Sequence, residues 1–176
     1  HLAAYQGHSE VIRALVEAGA DIEMYTESDY TPVHLAAAGG QVEAALALAA
    51  AGANLEARAR DAPPNDCTPA QVAAAYGHTS VVAALAAAGA DINRQDESAL
   101  TCLHHFFWQA CTTRVPDAPK RLQQLLDAGA SVQLACATWP TPLDMMEWVE
   151  QVGNCELPEY IPELIRCGCW LALDWQ

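Results

Sequence analysis

An all-α solenoid of stacked helix-turn-helix units with extended finger loops is the architecture the sequence predicts, and three observations carry it. One pattern recurs in register: HLAAYQGHSEVIRALVEAGADI, TPVHLAAAGGQVEAALALAAAGANL and TPAQVAAAYGHTSVVAALAAAGADI, then two looser versions beginning TCLHHFFWQA and TPLDMMEWVE. The glycine near the end of each copy falls at Gly19, Gly52, Gly89, Gly129 and Gly168, separated by 33, 37, 40 and 39 residues. Between these glycines the apolar residues follow helical rather than strand spacing. A period near 33 with two helices per unit marks a stacked array. No unit buries a core alone, so stability comes from contact with its neighbours.

Each element has a local cause. In the second unit Thr31 caps a helix and Pro32 takes its first position, where the missing amide proton costs nothing. Thr68-Pro69 and Thr141-Pro142 repeat the device. The short helix that follows is mostly alanine, which lets neighbouring helices approach closely, and Gly7, Gly40 or Gly77 breaks it. A longer helix then carries Val11, Ile12, Leu15 and Val16 in the first unit and Val81, Val82 and Leu85 in the third, expected as core faces. It ends in Ala-Gly-Ala, where glycine supplies the left-handed conformation that closes a helix. Asp21-Ile22, Asn54-Leu55, Asp91-Ile92 and Ser131-Val132 then lead extended fingers to the next threonine. The expected organisation is one domain over 1–176, with units at 1–30 (partial), 31–67, 68–100, 101–140 and 141–176. Because the chain starts at His1 and its first unit lacks the threonine-proline opening, more of the array is expected to precede it.

These residues, TPVHLAAAGG with AGAN and TPAQVAAAYGH with AGADIN, resemble ankyrin repeats, strongly over residues 1 to 100 and more loosely beyond. The resemblance implies a non-catalytic protein-protein interaction module whose concave groove is built from finger tips and the exposed face of each first helix. Carried over position by position, it assigns to that groove Tyr5 and Gln6, Ala38 and Gly39, Ala75 and Tyr76, Trp108 and Gln109, and Trp148 and Val149. The fingers add Tyr25, Tyr30 and Trp139, with Glu27, Arg58, Arg60 and Asp96 as their charged members. Aromatic rings are the usual anchors of protein interfaces. For Trp108 and Trp148 the alternative is a ring that fills a gap left by the irregular units, an alternative that is stronger for Phe106 and Phe107. The resemblance also implies that His1, His34 and His104 brace adjacent units; His8 and His78 read the same way, and only His105 lacks a place in the repeat. Leu85–Asn93, LAAAGADIN, is similar to the finger that asparaginyl hydroxylases modify in such proteins, with Asn93 as acceptor; the alternative is an asparagine that holds its own turn.

Departures from the pattern locate specialised surfaces. From threonine to glycine the second and third units span 21 positions, whereas the fourth spans 28 and the fifth 27. The surplus, Thr112 to Pro119 and Gly153 to Pro158, is turn-rich and is expected to protrude as loops. The second unit has its extra residues in the finger, around Ala62-Pro63-Pro64-Asn65.

Composition narrows the function classes. There are 22 acidic and 8 basic residues, a net charge of −14. Without a clustered basic surface, direct nucleic-acid binding is disfavoured. Acidic residues near the fingers, Glu23, Glu27 and Asp29, then Asp96 and Glu97, instead suit a basic or neutral protein segment. No apolar run is long enough for a membrane span. The seven cysteines are scattered without a framework spacing, which fits reduced thiols in the cytoplasm or nucleus. Cys167 and Cys169 with Cys155 or His105 make a weak zinc pattern, since the second paired knuckle is missing. No phosphate loop, nucleophile elbow or HExxH element is present. The expectation is a monomeric binding module without cofactor or metal. A second reading makes it the targeting arm of a larger enzyme or ubiquitin-ligase adaptor; an intrinsic enzyme ranks last.

Overall fold

The computed structural model describes residues 1–59, 66–113 and 117–133. Among them lie α1 (Leu2–Gln6), α2 (Ser9–Glu17), α3 (Pro32–Ala38), α4 (Val42–Ala50), α5 (Pro69–Ala75), α6 (Thr79–Ala87), α7 (Cys102–Thr113) and α8 (Ala118–Asp127). The odd-numbered helices pack side by side in one row and the even-numbered helices in a second row. Each helix of a row therefore meets its equivalent in the next unit.

Alanine sets the closeness of the first row. Ala36, Ala37, Ala73 and Ala74 are wholly buried, and the bulk of the core comes from Leu48, Val81, Val82, Leu85, Leu122 and Leu125 on the second row. Phe106 and Phe107 occupy in α7 the places of Ala36 and Ala37 in α3, and both are buried. They are core residues, with ring centroids 6.1 Å apart.

The mid-unit glycines are required twice over at Gly40. Its φ of 71° disfavours other residues, and an added Cβ would stand 2.8 Å from Nδ1 of His78. His78 caps the N-terminus of α6, so the next unit seats a side chain on the glycine of the one before. Gln41 packs on Gly7 in the same way. Arg121 of α8 continues the series by donating to the Gly77 carbonyl.

The fourth unit departs from expectation. The surplus from Thr112 onward does not form a loop up to Pro119, because α7 runs through Thr113 and α8 begins at Ala118. No glycine follows Trp108-Gln109 in the place where Gly40 and Gly77 stop α3 and α5, so the helix continues. The predicted loop at Gly153–Pro158 and the finger residues Ala62–Asn65 lie outside the described residues.

Candidate partner-binding surface

The surface begins with the braces that hold one unit against the next. Thr31 caps α3 with extended backbone, and Nδ1 of His34 lies 3.3 Å from the Thr31 amide and 2.8 Å from its hydroxyl. With Nδ1 accepting, the proton sits on Nε2, which donates to the Cys67 carbonyl at 3.1 Å across the unit boundary. Burial drives His34 down to about 4, which keeps this tautomer neutral. Gln71 does the same work with an amide: its Oε1 accepts from the Thr68 amide at 2.8 Å while Nε2 donates to the carbonyls of Arg94 and Leu100. His1 reaches the Met24 carbonyl at 2.8 Å. His104 repeats the Thr101 contact at 2.9 Å, and its buried Nε2 has no partner among the described residues.

A second ladder runs along the fingers. Asp21, Asn54 and Asp91 each accept from the amide two residues on, an Asx turn that bends the chain out of the helix stack. The residue so positioned then reaches the next finger. Glu23 accepts from the Asn54 amide at 2.7 Å and Glu56 from the Asp91 amide at 2.8 Å. Asn93 continues the series, accepting from the Ser131 amide at 2.7 Å and donating to the Gly129 carbonyl at 2.9 Å. Its side chain therefore joins two units rather than only holding its own turn. Finger tips close on Thr26 and Asp96, which each accept from the amides two and four residues on.

A family model described as ankyrin repeats, in three copies, matches residues 1–96. The chain belongs to the ankyrin-repeat family. No curated protein matches it. Ankyrin repeats are generally protein-protein interaction modules and are typically non-catalytic. Among the described residues no helix is long and apolar enough to cross a membrane.

Across this ankyrin array the predicted groove residues separate into exposed and engaged groups. Tyr5, Tyr25, Tyr76 and Trp108 are exposed, at 51%, 50%, 49% and 58%, although Trp108 directly follows two fully buried phenylalanines. Gln6 and Glu27 are also exposed, and Gln109 is half-buried. Tyr30 is half-buried against the core with its ring 5.7 Å from His34. Burial, with the negative forms of Tyr76 and Cys67 nearby, pushes its hydroxyl up to about 12. The structure thus brings Tyr30 of the first finger into the neighbourhood of Tyr76 at the end of α5. A cleft of about 440 Å³ between the first two fingers is lined by Tyr25, Asp29, Asn54, Glu56, Ala57 and Arg58.

Two of the charged finger residues are engaged within the array. Arg58 is ion-paired with Asp66 and donates to the Gln95 carbonyl at 3.0 Å, so its guanidinium ties the second finger to the third. Asp96 is turned inward, with a side chain only 5% exposed. One oxygen accepts from the amides of Ser98 and Leu100, and the other meets His105 Nε2 at 2.9 Å. Burial raises the carboxyl, but the hydrogen bonds from His105 and the two amides outweigh it and hold Asp96 below its usual range. Arg60, Trp139 and Trp148 lie outside the described residues, as do Cys155, Cys167 and Cys169.

His105, the histidine without a place in the repeat, belongs to a cluster that periodicity did not reveal. Its Nε2 also lies 3.6 Å from Sγ of the buried Cys67, which in turn lies 3.8 Å from the Asp96 carboxylate. Leu35 and Val72 occupy the equivalent of His105 in the preceding units. A polar side chain at a position that is otherwise aliphatic was the available signal.

Proposed function

We propose that this ankyrin array binds a partner protein through its concave face, with Tyr5, Tyr25, Tyr76 and Trp108 as anchors and acidic groups at the rim favouring a basic or neutral segment. The observation that carries this reading is the exposure of Trp108 beside buried Phe106 and Phe107. Three aromatic residues in succession invite burial of all three, yet α7 turns only the third to solvent. Exposed Glu27 and Glu97 at the finger tips supply negative charge beside the anchors, which speeds encounter with a basic segment and selects against acidic ones. Arg58 and the inward Asp96 act on this surface by fixing the fingers.

The experiment is affinity capture with the intact chain and with a Tyr76→Ala/Trp108→Ala variant, followed by quantitative mass spectrometry. A partner held by the intact chain and lost by the variant, with cooperative unfolding retained in both, supports the groove. A partner retained equally by both places binding elsewhere.

A further inference from the structure

Three donor atoms from three successive parts of the array converge on one point. Cys67 ends the second finger, Asp96 turns the tip of the third, and His105 stands on the first turn of α7. Sγ, Oδ2 and Nε2 form a triangle with edges of 2.9, 3.6 and 3.8 Å. All three side chains are buried or nearly so.

The arrangement is not a nucleophile relay. In such a relay the thiol and the carboxylate address opposite nitrogens of the imidazole. Here both address Nε2. Convergence of thiol, carboxylate and imidazole on one face is instead the geometry of a metal centre. Tetrahedral bonds of about 2.0 to 2.3 Å set neighbouring donor atoms roughly 3.3 to 3.6 Å apart. The observed edges bracket that range.

We propose that Cys67, Asp96 and His105 bind a zinc ion that clips the second and third fingers to the fourth unit. A mixed sulfur, nitrogen and oxygen set suits zinc, whereas magnesium and calcium take oxygen alone. On binding, the thiol releases its proton to solvent and the neutral imidazole moves its proton from Nε2 to Nδ1. Thiolate and carboxylate then balance the two positive charges, which a buried site requires. The supporting contacts already exist. The Ser98 and Leu100 amides hold the other Asp96 oxygen, leaving Oδ2 to face the ion, and the Cys67 carbonyl is fixed by the Ala59 amide and by His34. Three ligands come from the described residues, and a fourth position is left that water can fill.

The test is titration of the full chain, kept reduced by a non-chelating phosphine, with cobalt(II) and then zinc. Wild type should take up cobalt with a thiolate charge-transfer band that zinc abolishes, and its melting temperature should rise with zinc. Cys67→Ala and His105→Leu, the latter copying Leu35, should each remove this band and weaken zinc binding by at least about 100-fold. If His105→Leu loses its helical circular dichroism, Asp96→Asn, which keeps the acceptor the finger needs, carries the same comparison. Zinc affinity unchanged in Cys67→Ala and in the histidine or aspartate variant would assign any bound metal to other cysteines and overturn the proposal. So would folded wild type that takes up no metal at micromolar zinc.

Discussion

Gly39→Ala tests how closely the first-row helices stack. Gly39 closes α3 with φ near −81°, an ordinary right-handed conformation. By backbone reasoning alone, alanine there should stabilise by about 0.4 to 1 kcal/mol, because it restricts the unfolded chain. The packing reverses the sign. An added Cβ would stand 2.4 Å from the Tyr5 carbonyl oxygen, a backbone atom of the preceding unit that no rotamer change can move. Pushing α1 away from α3 belongs with overpacked cores, which cost about 1 to 3 kcal/mol. The expected net loss is therefore about 1 to 2 kcal/mol. Gly52→Ala is the matched control, since its φ is 90° but nothing lies within 4 Å of its Cβ. It should cost about 1 kcal/mol by backbone strain alone, and Gly52→Asn should recover part of that. Urea unfolding by circular dichroism gives the magnitudes, and amide exchange shows whether loss concentrates in α1 and α2, as nearest-neighbour stacking requires. A neutral or stabilising Gly39→Ala would refute the close approach of α1 and α3.

Other predictions follow from single contacts. Ala99 holds a φ of 60° at a finger turn, so Ala99→Gly should stabilise by about 1 kcal/mol, read as a higher urea midpoint. Burial, aided by the Arg121 charge, lowers the pKa of His78, so the unfolded chain binds more protons near the ordinary histidine value of 6.5. Stability should fall as pH drops through that value, and His78→Gln, which copies Gln41, should flatten this part of the pH profile in parallel urea titrations. Gln71→Leu keeps the side-chain size but leaves the Thr68 amide and the carbonyls of Arg94 and Leu100 short of a partner, and should cost about 1 to 3 kcal/mol in thermal unfolding.

Most features that repeat at equivalent positions were legible in the sequence, although Val11 and Leu15, expected on a core face, are exposed where their equivalents Val81 and Leu85 are buried. Thr31-Pro32 and Thr68-Pro69 start helices, Gly40 and Gly77 follow the first helix of their units at positive φ, and His34 serves as a brace. Each depends on one residue and its near neighbours in sequence. The turn character of the surplus residues suggests a loop from Thr112, but the missing glycine after Gln109 is the stronger determinant and α7 runs through Thr113. The cluster at His105 was hidden for a different reason. Aligning repeats compares equivalent positions, but Cys67, Asp96 and His105 are non-equivalent and meet only because stacking brings the second unit's finger end beside the third unit's finger tip and the first helix of the fourth unit. The engagement of Arg58 and Asp96 is hidden for the same reason, since Gln95 and His105 lie in other elements.

The concave face is tested most directly by the affinity of a captured partner for two single variants, measured by titration calorimetry. Trp108, the anchor proposed for the groove, is 58% exposed; Leu46 is an apolar residue 41% exposed on the second row, in a shallow cleft with Arg13, Glu17 and Glu43. Removing a true anchor costs about 2 kcal/mol, roughly thirtyfold in Kd. Trp108→Ala should therefore weaken binding about thirtyfold, with Leu46→Ala unchanged and both variants unfolding cooperatively. The opposite pattern, affinity lost with Leu46→Ala and kept with Trp108→Ala, would contradict a concave binding face.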